Sequence, residues 1–303
     1  MTETLSDNAA WAAAKPKLSV LIPFKGDDAC DLLRALDEEA APAEIVILDD
    51  GSNDACLTSR LQTVLAGMRL PARLVALAKN EGRARGRNRL ARHARADALL
   101  FLDADMLPDS PDFLGRWIAA GDAPIAFGGF SMDRTPHRRE TALNRAMASQ
   151  TETLSAAQRS LAPEKYVYTS NLLVQRHVFE AVRFDETFTG YGWEDVEWAL
   201  RASQAFPILH IDNSASHLGL DPAPTMAAKF EQSAANFARM VQGHRALVET
   251  FPIYGAARFL KRLPLRSVWR PMIKATALAD PLPVRVRAFA MRLYRAALYA
   301  EAV

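Results

Sequence analysis

Cysteine is scarce in this chain, with Cys30 and Cys56 the only two among 303 residues. Two thiols cannot build a disulfide scaffold or a four-cysteine zinc site, and both are expected to be ordinary buried thiols in a reducing compartment. No apolar run approaches the roughly 18 residues of a membrane-spanning helix. Residues 1–17 carry Glu3 and Asp7 before any basic residue and no apolar core behind a basic start. That is not the pattern of a secretory leader, and the expected location is cytoplasmic, with attachment to the inner face of a membrane left open. No G-x-G-x-x-G follows the first apolar run and there is no Walker motif, which disfavours dinucleotide and P-loop enzymes. Internal repeats and Gly- or Ser-rich linkers are also missing.

What is present is ordinary globular composition, half hydrophobic and 24% charged. The net charge of +2 conceals an asymmetry. Ten basic side chains between residues 255 and 303 face only Asp280 and Glu301, which leaves that segment at +8 and the rest of the chain at −6. This is an acidic body with a basic tail.

Short continuous apolar runs at residues 18–23, 44–48, 73–77 and 98–102 alternate with helical spacing at 27–39, 54–68 and 83–94. Unbroken apolar strands between helices predict a parallel sheet covered on both faces. Further on, helices are expected at 141–159, 193–202 and 225–246, and strands at 167–174 and 208–211. Residues 1–17 are expected to be a flexible lead-in. Beyond 250, five prolines cut the basic tail into short helices.

Ligands of an open parallel sheet bind beyond the carboxyl ends of its strands. Polar clusters follow three predicted strands: residues 23–28, 49–52 and 103–105. Carboxylates gathered on one rim repel one another unless a cation or hydrogen-bonding ligand is present. A hard divalent cation takes carboxylate oxygens and keeps positions for phosphate oxygens. The competing reading of Asp103 and Asp105 is a turn or helix cap. The arginine-rich stretch 83–89 reads either as a nucleic-acid contact, as a solvated helix face, or as a source of arginines for a diphosphate.

Six segments in order resemble the family 2 glycosyltransferases of the GT-A fold. They are residues 18–23 (LSVLIP), 47–52 (ILDDGS), Asn80-x-Gly82 with Arg87-Asn88, 101–105 (FLDAD), 169–174 with 184–188, and 190–197 (GYGWEDVE). The resemblance covers roughly residues 18–220. It implies a GT-A domain over 18–250, with a nucleotide-sugar half at 18–130 and an acceptor half at 131–250, followed by a helical basic extension at 251–303.

The resemblance also implies roles. Asp50, with Asp49, would bind the uracil or ribose of a nucleotide-sugar, most simply a UDP-sugar, helped by Pro23, Phe24, Arg87, Asp103 and Ala104. Asp105, with Asp103 and His217, would hold Mn²⁺ or Mg²⁺. Asp195 matches the catalytic base, and Trp193 and Glu194 would touch the acceptor. The chain has Phe24-Lys25-Gly26 where relatives often carry Tyr-Asn. The implied reaction is inverting transfer of a hexosyl group to a glycan or lipid-linked saccharide in polysaccharide biosynthesis. His217 has a competing reading as a packed imidazole, and Glu194-Asp195 as simple helix-start chemistry.

Two other functions stand beside this one. A metal-dependent nucleotidyltransferase would use the same carboxylates but leaves the Gly-Trp-Glu-Asp segment unexplained. A nucleic-acid-binding module would use the arginine run and the tail, but the acidic body and the lack of interleaved aromatics argue against it. In the tail, Arg285, Arg292 and Arg295 share one side of a predicted helix over 284–300, with Phe289, Leu293 and Leu298 largely elsewhere. That fits either a helix on an anionic membrane or a packed helix with a solvated basic face.

Overall fold

The computed structural model describes residues 3–303. In chain order its strands are β1 (Glu3–Asp7), β2 (Leu18–Phe24), β3 (Ala43–Asp49), β4 (Ala72–Leu77), β5 (Ala98–Leu102), β6 (Met106–Pro108), β7 (Ile125–Phe127), β8 (Phe130–Ser131), β9 (Asn171–Gln175), β10 (Ile208–His210) and β11 (Ala215–His217). Its helices are α1 (Cys30–Asp37), α2 (Ala55–Gly67), α3 (Arg83–His93), α4 (Phe113–Ala119), α5 (Ala142–Ala148), α6 (Ala156–Arg159), α7 (Arg176–Ala181), α8 (Glu194–Ala202), α9 (Ala223–Gly243), α10 (Arg245–Val248), α11 (Pro252–Lys261), α12 (Arg266–Leu278) and α13 (Val284–Tyr299).

Two compact units divide the chain. One runs to Thr135 and adds Glu152–Glu186 and Asp195–Gly219; the other comprises Pro136–Thr151, Thr187–Glu194 and Leu220–Val303. The second unit is thus assembled from separated segments, with α5 joining the run from α9 to α13.

The first unit is built on an eight-stranded sheet of order β1-β4-β3-β2-β5-β9-β7-β10. Strands β4, β3, β2 and β5 are mutually parallel. Strand β9 runs against both β5 and β7, and β1 against β4. Alternate residues of the central strands supply two cores. Val20, Ile22, Ile45, Ile47 and Leu100 meet α1, α2 and α4 on one face. Leu21, Val46, Leu48, Leu99 and Phe101 meet α3, α7 and α8 on the other. Burial on both faces is why these strands read as unbroken apolar runs.

Residues 3–17, expected to be a flexible lead-in, are held against the sheet; residues 1–2 lie outside the described residues. Strand β1 pairs with β4 along its whole length. Asn8 Nδ2 donates to the carbonyls of Leu65, Met68 and Leu70, and Trp11 is buried beneath the guanidinium groups of Arg73 and Arg95. The helix expected over 141–159 breaks into α5 and α6, and α6 starts afresh at a capping box between Ser155 and Gln158. Cys30 is buried as expected, but Cys56, in the first turn of α2, is exposed.

In the second unit α13 packs against α5, α9, α11 and α12. Its buried side presents Met291, Tyr294, Ala297 and Tyr299.

Candidate active site

The carboxyl ends of β2, β3 and β5 carry the predicted polar clusters. After β3 the chain turns sharply at Gly51, which has φ +72°. A side chain there would also meet the backbone of Lys79 and Asn80 within 3 Å, so glycine is required. Asp49 Oδ1 accepts the Ser52 N–H at 2.8 Å. Asp50 accepts the N–H groups of Glu81 (2.6 Å) and Gly82 (3.0 Å) just ahead of α3. Burial raises the Asp50 pKa, and the two N–H bonds oppose that rise. Pro23 lies half-buried near the end of β2, and the next residue, Phe24, is buried in the core cluster that includes α1.

The Asp-Ala-Asp segment follows β5. Asp103 Oδ1 accepts from Arg87 Nη2 at 3.1 Å, and Arg87 is itself buried against the Phe184 ring. Ala104 is buried in the core. Asp105 meets His217 across 112 residues of sequence, with Nε2 and Oδ2 3.1 Å apart. The short sheet β6-β11-β8 brings them together: β6 continues directly from Asp105, and antiparallel pairing with β11 sets His217 opposite Met106. The Leu218 N–H bonds the Asp105 carbonyl. Phe130 stacks on the imidazole at 6.1 Å.

Burial works against both charges of this pair, and the mutual hydrogen bond and attraction overcome it. The Asp105 pKa is lowered and the His217 pKa raised. Arg83 adds to the lowering at Asp105, and Glu152 and Asp103 add to the raising at His217.

Among the described residues no three His, Cys, Asp or Glu side chains gather into a complete metal site. The Asp105–His217 pair nevertheless fits part of one. It offers one carboxylate and one imidazole, a donor set that Mn²⁺ accepts more readily than the oxygen-seeking Mg²⁺. A cation would take the place of the proton shared between them. Gly219 keeps the approach clear, since a Cβ there would collide with the Asp105 carboxylate.

Glu194 and Asp195 open α8, where a helix N-terminus favours carboxylate charge. Glu194 is buried and Asp195 half-buried, with Asp195 Oδ1 accepting the Val196 N–H at 2.8 Å. The rest of α8 is anchored by Trp198, which contacts Phe184 at 5.5 Å; Phe184 in turn meets Phe101 of β5 edge-on.

Trp193 belongs to the second unit and is buried there in the left-handed conformation, φ +76°. Its indole N–H donates to Tyr299 Oη at 2.9 Å, so the polar atom it could offer an acceptor is already engaged. Tyr299 Oη also bonds Ser233 Oγ (2.6 Å) and accepts from Arg295 Nε (3.0 Å), and the Tyr299 ring stacks on Phe237 at 4.2 Å. Asn236 holds the carbonyls of Thr189 and Gly192.

Three arginines of α3, and Arg95 just beyond it, make internal pairs. Arg85 pairs with Glu186, Arg87 with Asp103, Arg89 with Glu3 and Glu81, and Arg95 with Glu44. Asn88 bonds both N–H and carbonyl of Phe184 and the Glu186 carboxylate. The resembling segments around 87–88 and 184–186 are thus one clamp joining α3 to the chain after α7. Reading the sequence alone missed Gly219 and Arg83 at the Asp105 site. Position 219, two residues past His217, was the available signal for the first.

The mixed α/β architecture, with its large mostly parallel sheet and acidic strand-end turns, is that of the GT-A fold. The chain belongs to Glycosyl transferase family 2, whose family model matches residues 19–180. It is 24% identical over 211 residues to the uncharacterized glycosyltransferase YfnE of Bacillus subtilis, covering 54% of this chain and 53% of that one. It is 25% identical over 248 residues to polypeptide N-acetylgalactosaminyltransferase 3 of Drosophila melanogaster, covering 69% of this chain and 35% of that one. The chain therefore spans about half or less of the length of these relatives. Among solved structures it resembles the mannosyltransferase PcManGT of Pyrobaculum calidifontis, in complex with GDP-mannose and Mn²⁺. The TM-score is 0.56 at 16% identity, over 97% of this chain and 89% of that one, and the likeness is one of fold.

Proposed function

We propose that the chain is an inverting hexosyltransferase. It moves a sugar from a UDP-sugar to a hydroxyl of a glycan or lipid-linked saccharide in polysaccharide biosynthesis. The observation that carries the reading is the Asp105–His217 pair at the carboxyl end of β5, kept open by Gly219, in a sheet of this family. In this reading Asp50, Asp105 and Asp195, which all belong to the first unit, face one cleft. Asp105 and His217 hold a divalent cation, Mn²⁺ before Mg²⁺, which when bound offsets the charge of the departing diphosphate.

The chain's own groups do the rest. Asp50 orients the nucleoside while fixing the turn before α3. Arg87 holds Asp103 beside the diphosphate. Asp195 takes the proton from the acceptor hydroxyl as that oxygen attacks the anomeric carbon. The N-terminus of α8 favours negative charge at that position, and half exposure favours Asp195 over the buried Glu194.

Thermal shift with UDP, GDP and their sugars, with and without Mn²⁺, is the first test. Metal-dependent stabilisation by a uridine nucleotide is expected, followed by sugar transfer from the stabilising donor. Asp195→Asn should keep donor binding and lose turnover by about 10²–10⁴; full turnover in that variant removes Asp195 as base. Asp105→Ala should abolish metal-dependent binding, and unchanged binding removes it as ligand.

A further inference from the structure

The basic tail has a surface that sugar transfer leaves unexplained. Eight of the eleven strongly exposed large apolar side chains among the described residues lie between Phe259 and Phe289. Only Leu5, Leu161 and Leu209 lie elsewhere. They follow helical spacing. Val268 and Met272 point outward on α12 and Leu265 caps its start, exposed by 53%, 64% and 72%. On α13 the exposed strip is Arg285, Val286, Phe289 and Arg292. Phe289 thus shares the arginine side instead of lying elsewhere. On α11, Phe259 is exposed beside Arg258 and Arg262.

These helices are packed, not loose: α11 and α12 both lie along α13, and buried Leu260, Ala296 and Ala297 sit between them and Trp269. The exposed strips are therefore left over after folding. Their charge is only partly offset: Glu249 attracts Arg258, and Arg292 donates to the Gln150 side-chain oxygen at 2.5 Å. The two acids of the tail are already taken, Asp280 by Arg287 at 2.8 Å and Glu301 by Arg270 at 2.7 Å. Arg262 and Arg285 have no ion-pair partner among the described residues.

We propose that α11, α12 and α13 form a docking surface for an anionic lipid bilayer. Arginines interleaved with Phe, Leu, Val and Met on short helices are the chemistry of the interface plane, where apolar groups enter the acyl boundary and cations meet headgroup phosphates. The charge speaks against a second copy of the chain as occupant, because a symmetric contact would set like guanidinium groups against each other. The proposal stands apart from the sugar-transfer reading, and its test uses neither donor nor metal.

The test is co-sedimentation of the full chain with phosphatidylcholine vesicles, with and without phosphatidylglycerol. Binding is expected only with the anionic lipid and should weaken as salt rises. Arg262→Gln combined with Arg285→Gln should reduce partition about 25-fold, at about five-fold per arginine. Leu265→Asn with Val268→Ser and Met272→Gln should reduce it at least about tenfold. All five positions are exposed or carry no ion pair, so melting temperatures should match the parent; if one variant fails to fold, the other and the salt series decide. No binding to anionic vesicles at low salt overturns the proposal, as does binding that both variants retain. A dimer by light scattering that the apolar variant dissolves would assign the surface to a second copy and also overturn it.

Discussion

Tyr299 ties the end of α13 to the segment that precedes Glu194 and Asp195, and removing its hydroxyl tests that tie. In Tyr299→Phe the stacked ring stays on Phe237, so no large cavity opens. Three bonds vanish: from Trp193 Nε1, to Ser233 Oγ and from Arg295 Nε. Ser233 keeps a second bond to the Phe230 carbonyl at 2.8 Å, and Arg295 is half-exposed and can turn to water. The indole N–H of Trp193 is the group left stranded, because Trp193 is buried. Leaving a buried donor unsatisfied costs about 1–3 kcal/mol, and this sets the expected loss at about 2 kcal/mol. Trp193 also sits at φ +76°, a conformation that costs a bulky residue about 1–3 kcal/mol unless its surroundings hold it. The segment should therefore relax locally. Urea unfolding of parent, Tyr299→Phe, Ser233→Ala and the double variant measures the loss and the coupling. A loss below about 0.5 kcal/mol for Tyr299→Phe, within the range of an ordinary surface change, would refute the argument that this hydroxyl holds Trp193.

Gly219→Ala places a methyl group on the Asp105 carboxylate. It should weaken Mn²⁺-dependent nucleotide binding at least about tenfold, the scale of losing a group that orients a metal ligand, and calorimetric titration with Mn²⁺ would show it. The two thiols should react very differently. Burial, a hydrogen bond to Asp28 and its charge push the Cys30 thiol up to about 11, so at pH 8 only about one molecule in a thousand is thiolate, the form that alkylates. Cys56 is exposed. Iodoacetamide at pH 8 followed by peptide mass analysis should modify Cys56 first, with Cys30 at least about a hundredfold slower; because the thiolate fraction grows with pH, the Cys30 rate should climb about tenfold per pH unit up to about 11. Equal rates would mean that α1 opens readily.

The central strands were legible because each is buried on both faces, which leaves a continuous apolar run such as residues 98–102 with a carboxylate stop. The elements that were not legible obey weaker signals. Strand β1 is Glu-Thr-Leu-Ser-Asp, an edge strand held by backbone pairing and by Asn8 and Trp11 beyond it, with no apolar run to mark it. The break between α5 and α6 was written in Ser155-x-x-Gln158, a capping signature that the longer helical pattern concealed. His217 could be paired with Asp105 only by resemblance, because the strands that join them, β6 and β11, are three residues each and show no periodicity. Phe24 ends an apolar run, and only the resemblance suggests a place for it beside a nucleotide base. It shares the sheet face of Val20 and Ile22, and its ring is buried with theirs in the core.

Strand β1 bears on how the protein can be shortened. A cut at Leu18, where the family-like segments begin, would remove the flank of β4 and leave a row of bare amide and carbonyl groups on a mostly apolar strand. Such a margin invites pairing between molecules. The native margin is a short strand bracketed by Glu3 and Asp7, which are tied back to Arg89 and Arg73. The stretch that looks most dispensable in the primary structure thus keeps neighbouring molecules from zipping together.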